Sequence, residues 1–478
     1  MEHACDTSLA GERLNGAPPG AVALRVLHAL EGSGLEAWIV GGWVRDALMG
    51  GSGHDVDICC SGSWEENEAA LRAAGISVVE SGVKFGGITA VTGGERIEVT
   101  AYRLDGFYTD GRHPERVERA GCVEDDLARR DFTVNAMAWH PERGLLDIYD
   151  GRGDLTRRQI RAVGAARRRF EEDALRMLRA VRFACRLDFA IEPSTASALA
   201  SCAPLLDQVA RERVGIELDG ILCTGRGGDA LLRYPEIMCA AVPELSACRG
   251  FDQCSPYHAY TVYGHTARVL AEAGRISRFA VEGGRPGRAP SPSLMWAALL
   301  HDIAKPQTFT RDGDGRGHFY GHPERGAAMA RTIMRRLSCA GDLVRDACLL
   351  IRYHDRPMRP ERSGLLRAMQ LLAGEGTDAP RLMGELLDLK RADTMGKAPS
   401  CFYYVDEIER MREMVRELLA NGEAYSLRTL DLTGADLIAV GMEPGPQLGA
   451  ALQRALDAVI AGQVPNRKEE LLAYSARG

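Results

Sequence analysis

Apolar and polar positions divide the chain into blocks of different period. From about Val22 to Asp150, short runs of β type (EAWIV, VDICC, ISVVE and RIEVTAY) are interleaved with helix-like stretches, the pattern of an α/β unit. In RIEVTAYR the alternation sets Ile97, Val99 and Ala101 on one face and Arg96, Glu98 and Thr100 on the other. From about Leu155 to Arg249 the pattern becomes helical and rich in Ala, Leu and Arg. A His-bearing helical block follows from Phe251 to Lys397, interrupted by the loop-like GGRPGRAPSP, and a last helical block begins after Ser400. No fixed-period repeat is present. The predicted organisation is a flexible tail (1–20), an α/β head (21–154), a helical neck (155–250), a third block (251–400) and a helical tail (401–478).

Length and composition agree with several globular domains: 478 residues, 45% hydrophobic and 26% charged. No apolar run reaches bilayer-spanning length, so no membrane association is expected. The N-terminus lacks a basic patch followed by an apolar core and does not read as a secretory signal. The thirteen cysteines are scattered without a Cys-x-x-Cys pair, which suits reduced thiols and a cytoplasmic location. Cys59-Cys60 reads as strand packing. A net charge of −7 argues against nucleic-acid binding by the chain as a whole. The arginine clusters RRLSCAGDLVR, RRQIRAVGAARRRF and RMLRAVRFACR nonetheless leave room for a local basic surface.

Candidate chemistry begins at WIVGGWVRDALMGGSGHDVDICC. Gly41-Gly42 ends a β-type run, and a helix-like run with Arg45 in its first turns follows. Such a turn lets backbone N–H groups approach a phosphate, with Arg45 adding charge, although a plain tight turn has the same look. Asp55 and Asp57 lie two apart, so in a strand their carboxylates project together. A shared cation relieves that repulsion, and Mg²⁺ takes such oxygen ligands together with substrate phosphates. Two solvated acids in an exposed turn is the competing reading. Glu98, on the polar face of its strand, is the natural third acid.

GGWVRDALMG, HDVDICC, IEVTAYR, YTDGRHPERVERAGCVEDDLARRDFTVNAMAW, DIYDGRGDL and EEDALRMLRAVRFACRLDF occur in this order. Together they resemble the bacterial class II tRNA nucleotidyltransferase and poly(A) polymerase family. The resemblance implies an α+β protein: a nucleotidyltransferase-type α/β head with a mixed sheet, then mainly helical neck, HD and tail domains. It implies metal binding by Asp55 and Asp57, and a nucleotide held with help from Arg130, Asp131 and Asn135. Gly86-Gly87 departs from the Gly-Thr frequent in relatives, with only a local effect expected.

EEDALRMLRAVRFACRLDF reads as a helix with Leu175, Leu178 and Leu187 on its buried stripe. Asp173 and Arg176, three apart, share a face, and Arg179 and Arg182 continue the spacing. On spacing alone this is a surface salt bridge. The resemblance selects a protein template for bases instead. Cytosine and adenine each present an amino donor beside a ring-nitrogen acceptor; a carboxylate accepts from the first and a guanidinium donates to the second. Uracil and guanine mismatch both. The polar segment from Asp105 to Arg119 reads as a loop, whose presence in this family favours full CCA addition or A addition.

YTVYGHTARVL, LLHDIAKP, FYGHPERGAAMA, IRYHDRP and DLKRADTMGK resemble the HD phosphohydrolase motif. His265, His301, Asp302 and Asp393 then form one divalent-metal site, and His322 and His354 support a second ion. This donor set suits Mn, Fe, Ni or Zn. In the tail, PGPQLGAAL opens a helix whose first N–H groups could meet an RNA phosphate, or simply start a packed helix.

The leading expectation is therefore a transferase that adds or repairs the 3′-terminal CCA of tRNA with CTP, ATP and Mg²⁺, with an HD block that either hydrolyses phosphoesters on RNA ends or is retained for packing or RNA contact. An A-adding enzyme or poly(A) polymerase remains the near alternative. A metal-dependent phosphohydrolase with an RNA-binding first half is the alternative of another class. Oligomeric state is not legible in the sequence.

Overall fold

The computed structural model describes residues 19–51, 55–80, 86–105, 117–282 and 290–475. The expected tail lies almost wholly outside these residues, as do 106–116 of the expected Asp105–Arg119 loop and most of GGRPGRAPSP. The chain divides into two compact units, Met1–Val214 and Gly215–Gly478.

In the first unit, helix α1 (Ala21–Glu31) buries Ala23, Val26, Leu27 and Leu30, one apolar stripe of helical period. Strand β1 (Ala37–Val40) leads through Gly41 into α2 (Gly42–Leu48). Strand β2 (Asp57–Cys60) precedes α3 (Trp64–Ala73), which starts at a capping box between Ser63 and Glu66. Strands β3 (Ser77–Val79), β4 (Gly87–Thr92) and β5 (Glu95–Ala101) follow. The tight turn between β4 and β5 is made by Gly93 and Gly94, both at positive φ, as a two-residue hairpin requires. The short pair β6 (Arg103–Asp105) and β7 (Val117–Arg119) shows that the two ends of the expected loop are strand, not loop.

Helix α4 (Val123–Ala128) leads to a 3₁₀ turn at Thr133–Asn135, then β8 (Ala138–His140) and β9 (Gly144–Leu146). The sheet runs β3-β4-β5-β2-β1-β8-β9 and is mixed as expected: β2 and β5 are parallel and the other neighbours antiparallel. The alternation read in RIEVTAYR holds, with Ile97, Val99 and Ala101 buried. Cys59 and Cys60 are buried in β2 and unpaired.

Helix α5 (Gly151–Arg157), the two-residue strands β10 (Gln159–Ile160) and β11 (Ala190–Ile191), α6 (Ala166–Glu172), α7 (Leu175–Leu187) and α8 (Pro193–Cys202) complete the unit. Two expectations change here. The single helix over EEDALRMLRAVRFACRLDF is two helices, because Asp173 adopts φ −144°, ψ 103° between α6 and α7. Leu187 is only half-buried at the end of α7; Leu178, Val181 and Ala184 carry the buried stripe. Helix α9 (Arg211–Ile221) crosses the boundary between the units.

The second unit is helical. After the end of α9 and a π-helical turn at Leu222–Arg226 come α10 (Gly227–Arg233) and α11 (Pro235–Ala241), then α12 (Val262–Glu282) and α13 (Pro292–Leu300). Ser293 through Leu300 are all buried, so α13 is a central helix with apolar surroundings on every side. A short α14 (Lys305–Thr308) is followed by α15 (His322–Arg336), α16 (Gly341–Tyr353), α17 (Arg362–Gly374) and α18 (Ala379–Gly396). The tail is α19 (Tyr404–Ala420), α20 (Gly434–Ala439), α21 (Pro446–Ile460) and α22 (Lys468–Ser475). Among the described residues no helix is long and apolar enough to cross a membrane.

Candidate functional site

In the first unit, Asp57 opens β2 and pairs in register with Glu98 of the parallel strand β5. Asp55 lies just before the strand rather than in it and is exposed, yet its charge still acts on Asp57. Burial, then the Glu98 charge, raise the Asp57 carboxyl to about 6; Arg130 opposes the shift and Asp55 adds to it.

Gly41 is what lets these groups meet. Its φ is +76°, and a Cβ there would lie 3.0 Å from Arg130 Nη1 and 4.0 Å from Asp57 Oδ2. Arg45, buried on α2, donates from Nη1 to Asn135 Oδ1 at 2.7 Å and from Nε to Asp46 at 2.7 Å. Arg130 donates from Nη2 to Asp126 at 3.1 Å. Asp126 is fully buried and also accepts from Arg129. Burial works against its charge, yet Arg130 and Arg129 hold its carboxyl below the ordinary range. Asp131 likewise stays ionised against burial: its Oδ2 accepts from Arg179 Nε at 2.8 Å and its Oδ1 from the Phe132 N–H at 2.8 Å.

Asp173 sits at the break between α6 and α7. Its Oδ1 accepts from the Leu175 N–H at 3.0 Å and its Oδ2 from Arg213 Nη2 at 3.1 Å. Arg176 donates to Glu172 at 2.8 Å and to the Arg129 carbonyl at 3.1 Å. The two therefore do not share one helix face as the spacing suggested. Both nevertheless line one cleft of about 500 Å³ with Gly41, Gly42, Arg45, Asp57 and Glu98. Arg130, Asp131, Asn135 and Arg179 line it too, and Asp55 does not.

Sequence reasoning missed Asp126, Arg213 and Phe183. Asp126 had a signal, its three- and four-residue spacing to Arg129 and Arg130. Arg213 had none, because it reaches Asp173 only through the fold. Phe183 gathers the guanidiniums of Arg45, Arg179 and Arg182 within 4.7–5.6 Å of its ring.

In the second unit, His301 and Asp302 follow directly on the buried α13. His265 lies in the first turn of α12, Asp393 near the end of α18, His322 at the start of α15 and His354 just past α16. His265 Nε2 is 3.0 Å from Asp393 and 3.4 Å from Asp302 Oδ2, and His301 Nε2 is 3.2 Å from Asp302 Oδ2. On the other oxygen, Asp302 Oδ1 is 3.4 Å from His322 Nε2 and 3.8 Å from His354 Nε2. The sets His265/His301/Asp302 and Asp302/His322/His354 each have ligand atoms close enough to hold one ion.

All four imidazoles place Nδ1 against a backbone carbonyl, of Gly396, Ala298, Phe319 and Ile351. That fixes the tautomer with Nε2 as the ligand atom. Burial, reinforced by His301, keeps the His354 ring well below its ordinary value, hence neutral and ready to ligate. Lys305 and Lys397 back the carboxylates, at 2.7 Å from Asp302 and 2.6 Å from Asp393. These lysines and His258, whose ring meets His265 edge-on at 5.2 Å, were not singled out from sequence.

Family models match the segments that carry both groups of residues. The Poly A polymerase head domain model matches residues 37–161, the HD domain model 262–395, and a tRNA nucleotidyltransferase domain 2 model 402–475. The CCA-adding enzyme of Lactobacillus delbrueckii subsp. bulgaricus is 30% identical over 454 residues, 95% of this chain and 97% of that protein. That of Streptococcus suis is 42% identical over 200 residues, 42% of this chain and 49% of that protein. The crystal structure of the Bacillus stearothermophilus CCA-adding enzyme in complex with CTP superposes with a TM-score of 0.68 at 27% identity, covering 96% of this chain and 98% of that one. The Thermotoga maritima CCA-adding enzyme complexed with tRNA_CCA shares the fold, with a TM-score of 0.60 at 20% identity over 96% of each chain. This chain belongs to the CCA-adding enzyme family and is a nucleotidyltransferase.

Proposed function

We propose that this protein adds and repairs the 3′-terminal CCA of tRNA, using CTP and ATP without a nucleic-acid template and releasing pyrophosphate. One observation carries the reading: a single cleft joins the Asp57–Glu98 pair to an arginine-lined wall and to Asp173 and Arg176. The all-oxygen donor set of Asp57 and Glu98, with Asp55 nearby, fits Mg²⁺, and a cation there would offset the burial and the Glu98 charge that raise the Asp57 carboxyl. Bound there, Mg²⁺ supplies activation of the RNA 3′-hydroxyl and charge neutralisation on the departing pyrophosphate.

The chain's own residues bind and select. Arg45, Arg130 and Arg179 offer fixed positive charge to the triphosphate, held in place by Asn135, Asp126 and Asp131. Each Asp173 oxygen has two acceptor sites, so beside the Leu175 and Arg213 bonds it can accept from the amino group of cytosine or adenine. Arg176 donates to the adjacent ring nitrogen. A carbonyl in place of the amino group faces the Asp173 carboxylate without a proton between them. The test supplies CTP, ATP or both to tRNAs ending before CCA, after CC and complete, and sequences the ends. Restoration of CCA from both shortened forms is expected; A addition alone, or long A tails, would replace the reading.

A second activity is favoured by the four Nε2 atoms gathered around Asp302 and Asp393. His265, His301, Asp302 and Asp393 would hold one transition-metal ion, and His322 and His354 with Asp302 a second. Such an ion supplies a hydroxide near neutral pH for attack on a phosphoester. The substrate class is a phosphate or 2′,3′-cyclic phosphate on an RNA end. Inactivity toward such ends with Mn, Ni, Fe or Zn, at full metal occupancy, would refute it. The division into head (21–154), neck (155–250), HD (251–400) and tail (401–478) belongs to the same reading. The unpaired cysteines of the described residues support a reducing, cytoplasmic setting.

A further inference from the structure

Among the described residues, two cavities meet at the HD centre. The first, of about 380 Å³, is lined by Tyr257, His258, Lys305, Arg316, His318 and Tyr320. The second, of about 350 Å³, is lined by Arg356, Arg359, Lys390, Tyr403 and Tyr404. His354, Asp355, Asp393 and Lys397 line both. Each volume falls in the range, about 300–1,000 Å³, that takes a small ligand.

The aromatic residues at these cavities are unusual in their exposure. Among the described residues four tyrosines are exposed, and three of them line these two cavities: Tyr257 at 55%, Tyr320 at 77% and Tyr403 at 73%. The fourth, Tyr260, lines neither and has Arg268 over its ring at 3.8 Å. Tyr320 already stacks on His318, with centroids 5.4 Å apart and planes 5° from parallel. A ring so exposed contributes little to the core, but its flat face is what an unstacked nucleobase needs. Cationic side chains line both cavities, as a phosphate backbone requires.

We infer that the two cavities form one bipartite groove for single-stranded RNA, with a nucleotide on each side of the residues they share. One base stacks on Tyr320 or Tyr257 and the other on Tyr403, while the linking phosphate lies at His354, Asp393 and Lys397. Tyrosine faces accept any base, so the groove is tolerant of sequence. The inference takes the metal-holding centre from the HD reading but places there a phosphodiester between two nucleotides rather than a terminal phosphate, and binding can be measured apart from hydrolysis.

The full-length protein loaded with Mn²⁺ is mixed with a short oligoribonucleotide carrying 5-iodouridine at two adjacent positions joined by a phosphorothioate linkage that resists hydrolysis. Ultraviolet crosslinks are then mapped by mass spectrometry, and affinity is read by fluorescence anisotropy. Crosslinks at Tyr320 and Tyr403 are expected. The Tyr320→Ala/Tyr403→Ala double variant should bind at least about tenfold more weakly, while Tyr320→Phe/Tyr403→Phe keeps its affinity. Crosslinks confined to residues 1–214, or equal affinity of the alanine and phenylalanine variants, would overturn the groove. Tyrosine crosslinks in a protein that hydrolyses no RNA end would keep the groove and remove the hydrolase reading. Hydrolysis without tyrosine crosslinks would do the reverse.

Discussion

Asp57 and Glu98 face one another across the parallel strands β2 and β5, and the repulsion between them is part of what lifts the Asp57 carboxyl to about 6. In metal-free protein this charge opposes folding. The penalty is absent below the ordinary carboxyl value of 3.8, grows between 3.8 and about 6, and is full above that. Asp57→Asn should therefore stabilise the metal-free protein by roughly 1–3 kcal/mol at neutral pH, with the gain gone near pH 4. The same variant should lose nucleotidyl transfer by at least roughly a hundredfold. Chemical denaturation across pH, beside single-turnover CTP incorporation, checks both; a variant less stable than its parent at neutral pH contradicts the first.

Base choice is expected to fail without Arg176. Arg176→Ala should narrow the preference of CTP over UTP and of ATP over GTP by roughly 5- to 150-fold, the equivalent of about 1–3 kcal/mol for an unmatched buried polar group. Steady-state kcat/KM for the four nucleotides measures this. Unchanged ratios would show that selection lies elsewhere in the cleft.

Gly41 adopts a positive φ that a side chain strains. Gly41→Ala imposes a positive φ on a residue with a Cβ and pushes that Cβ against Arg130. The expected cost is roughly 1–3 kcal/mol of stability, with a higher KM for CTP and ATP as Arg130 shifts. Thermal unfolding and nucleotide kinetics are the measurements; a variant with wild-type values in both would mean the turn can relax.

The two oxygens of Asp302 point to different histidine pairs, so the metal sites should be separable. His322→Ala with His354→Ala should lower the bound transition metal and leave the ion at His265 and His301 in place. CCA addition by the first unit should continue. Elemental analysis after dialysis checks the stoichiometry, and complete loss of metal would show that the two sites form only together.

Much of this was legible in the chain. The alternation of RIEVTAYR placed Glu98 on the open face of its strand, because strand period depends only on backbone geometry. The apolar run before His301 announced a buried helix, and the structure surrounds α13 with core. Asp55 and Asp57 were harder: spacing cannot say where a strand starts, and β2 starts at Asp57. The helix over residues 171–189 was misread as continuous, since Asp173 is an extended residue only in the setting of α6, α7 and Arg213.

The sequence by itself determined the chemistry available: the acids, the arginines and the histidines, with the local periods that put most of them on the right elements. Tertiary structure alone decided the partners. Arg213 reaches Asp173, Arg45 reaches the ring of Phe183, and three exposed tyrosines from separate elements collect at one histidine centre, across separations that local propensity does not encode. Strand and helix period are set by neighbours along the chain, whereas charge pairing and the shape of a cavity are set by packing between elements distant in sequence.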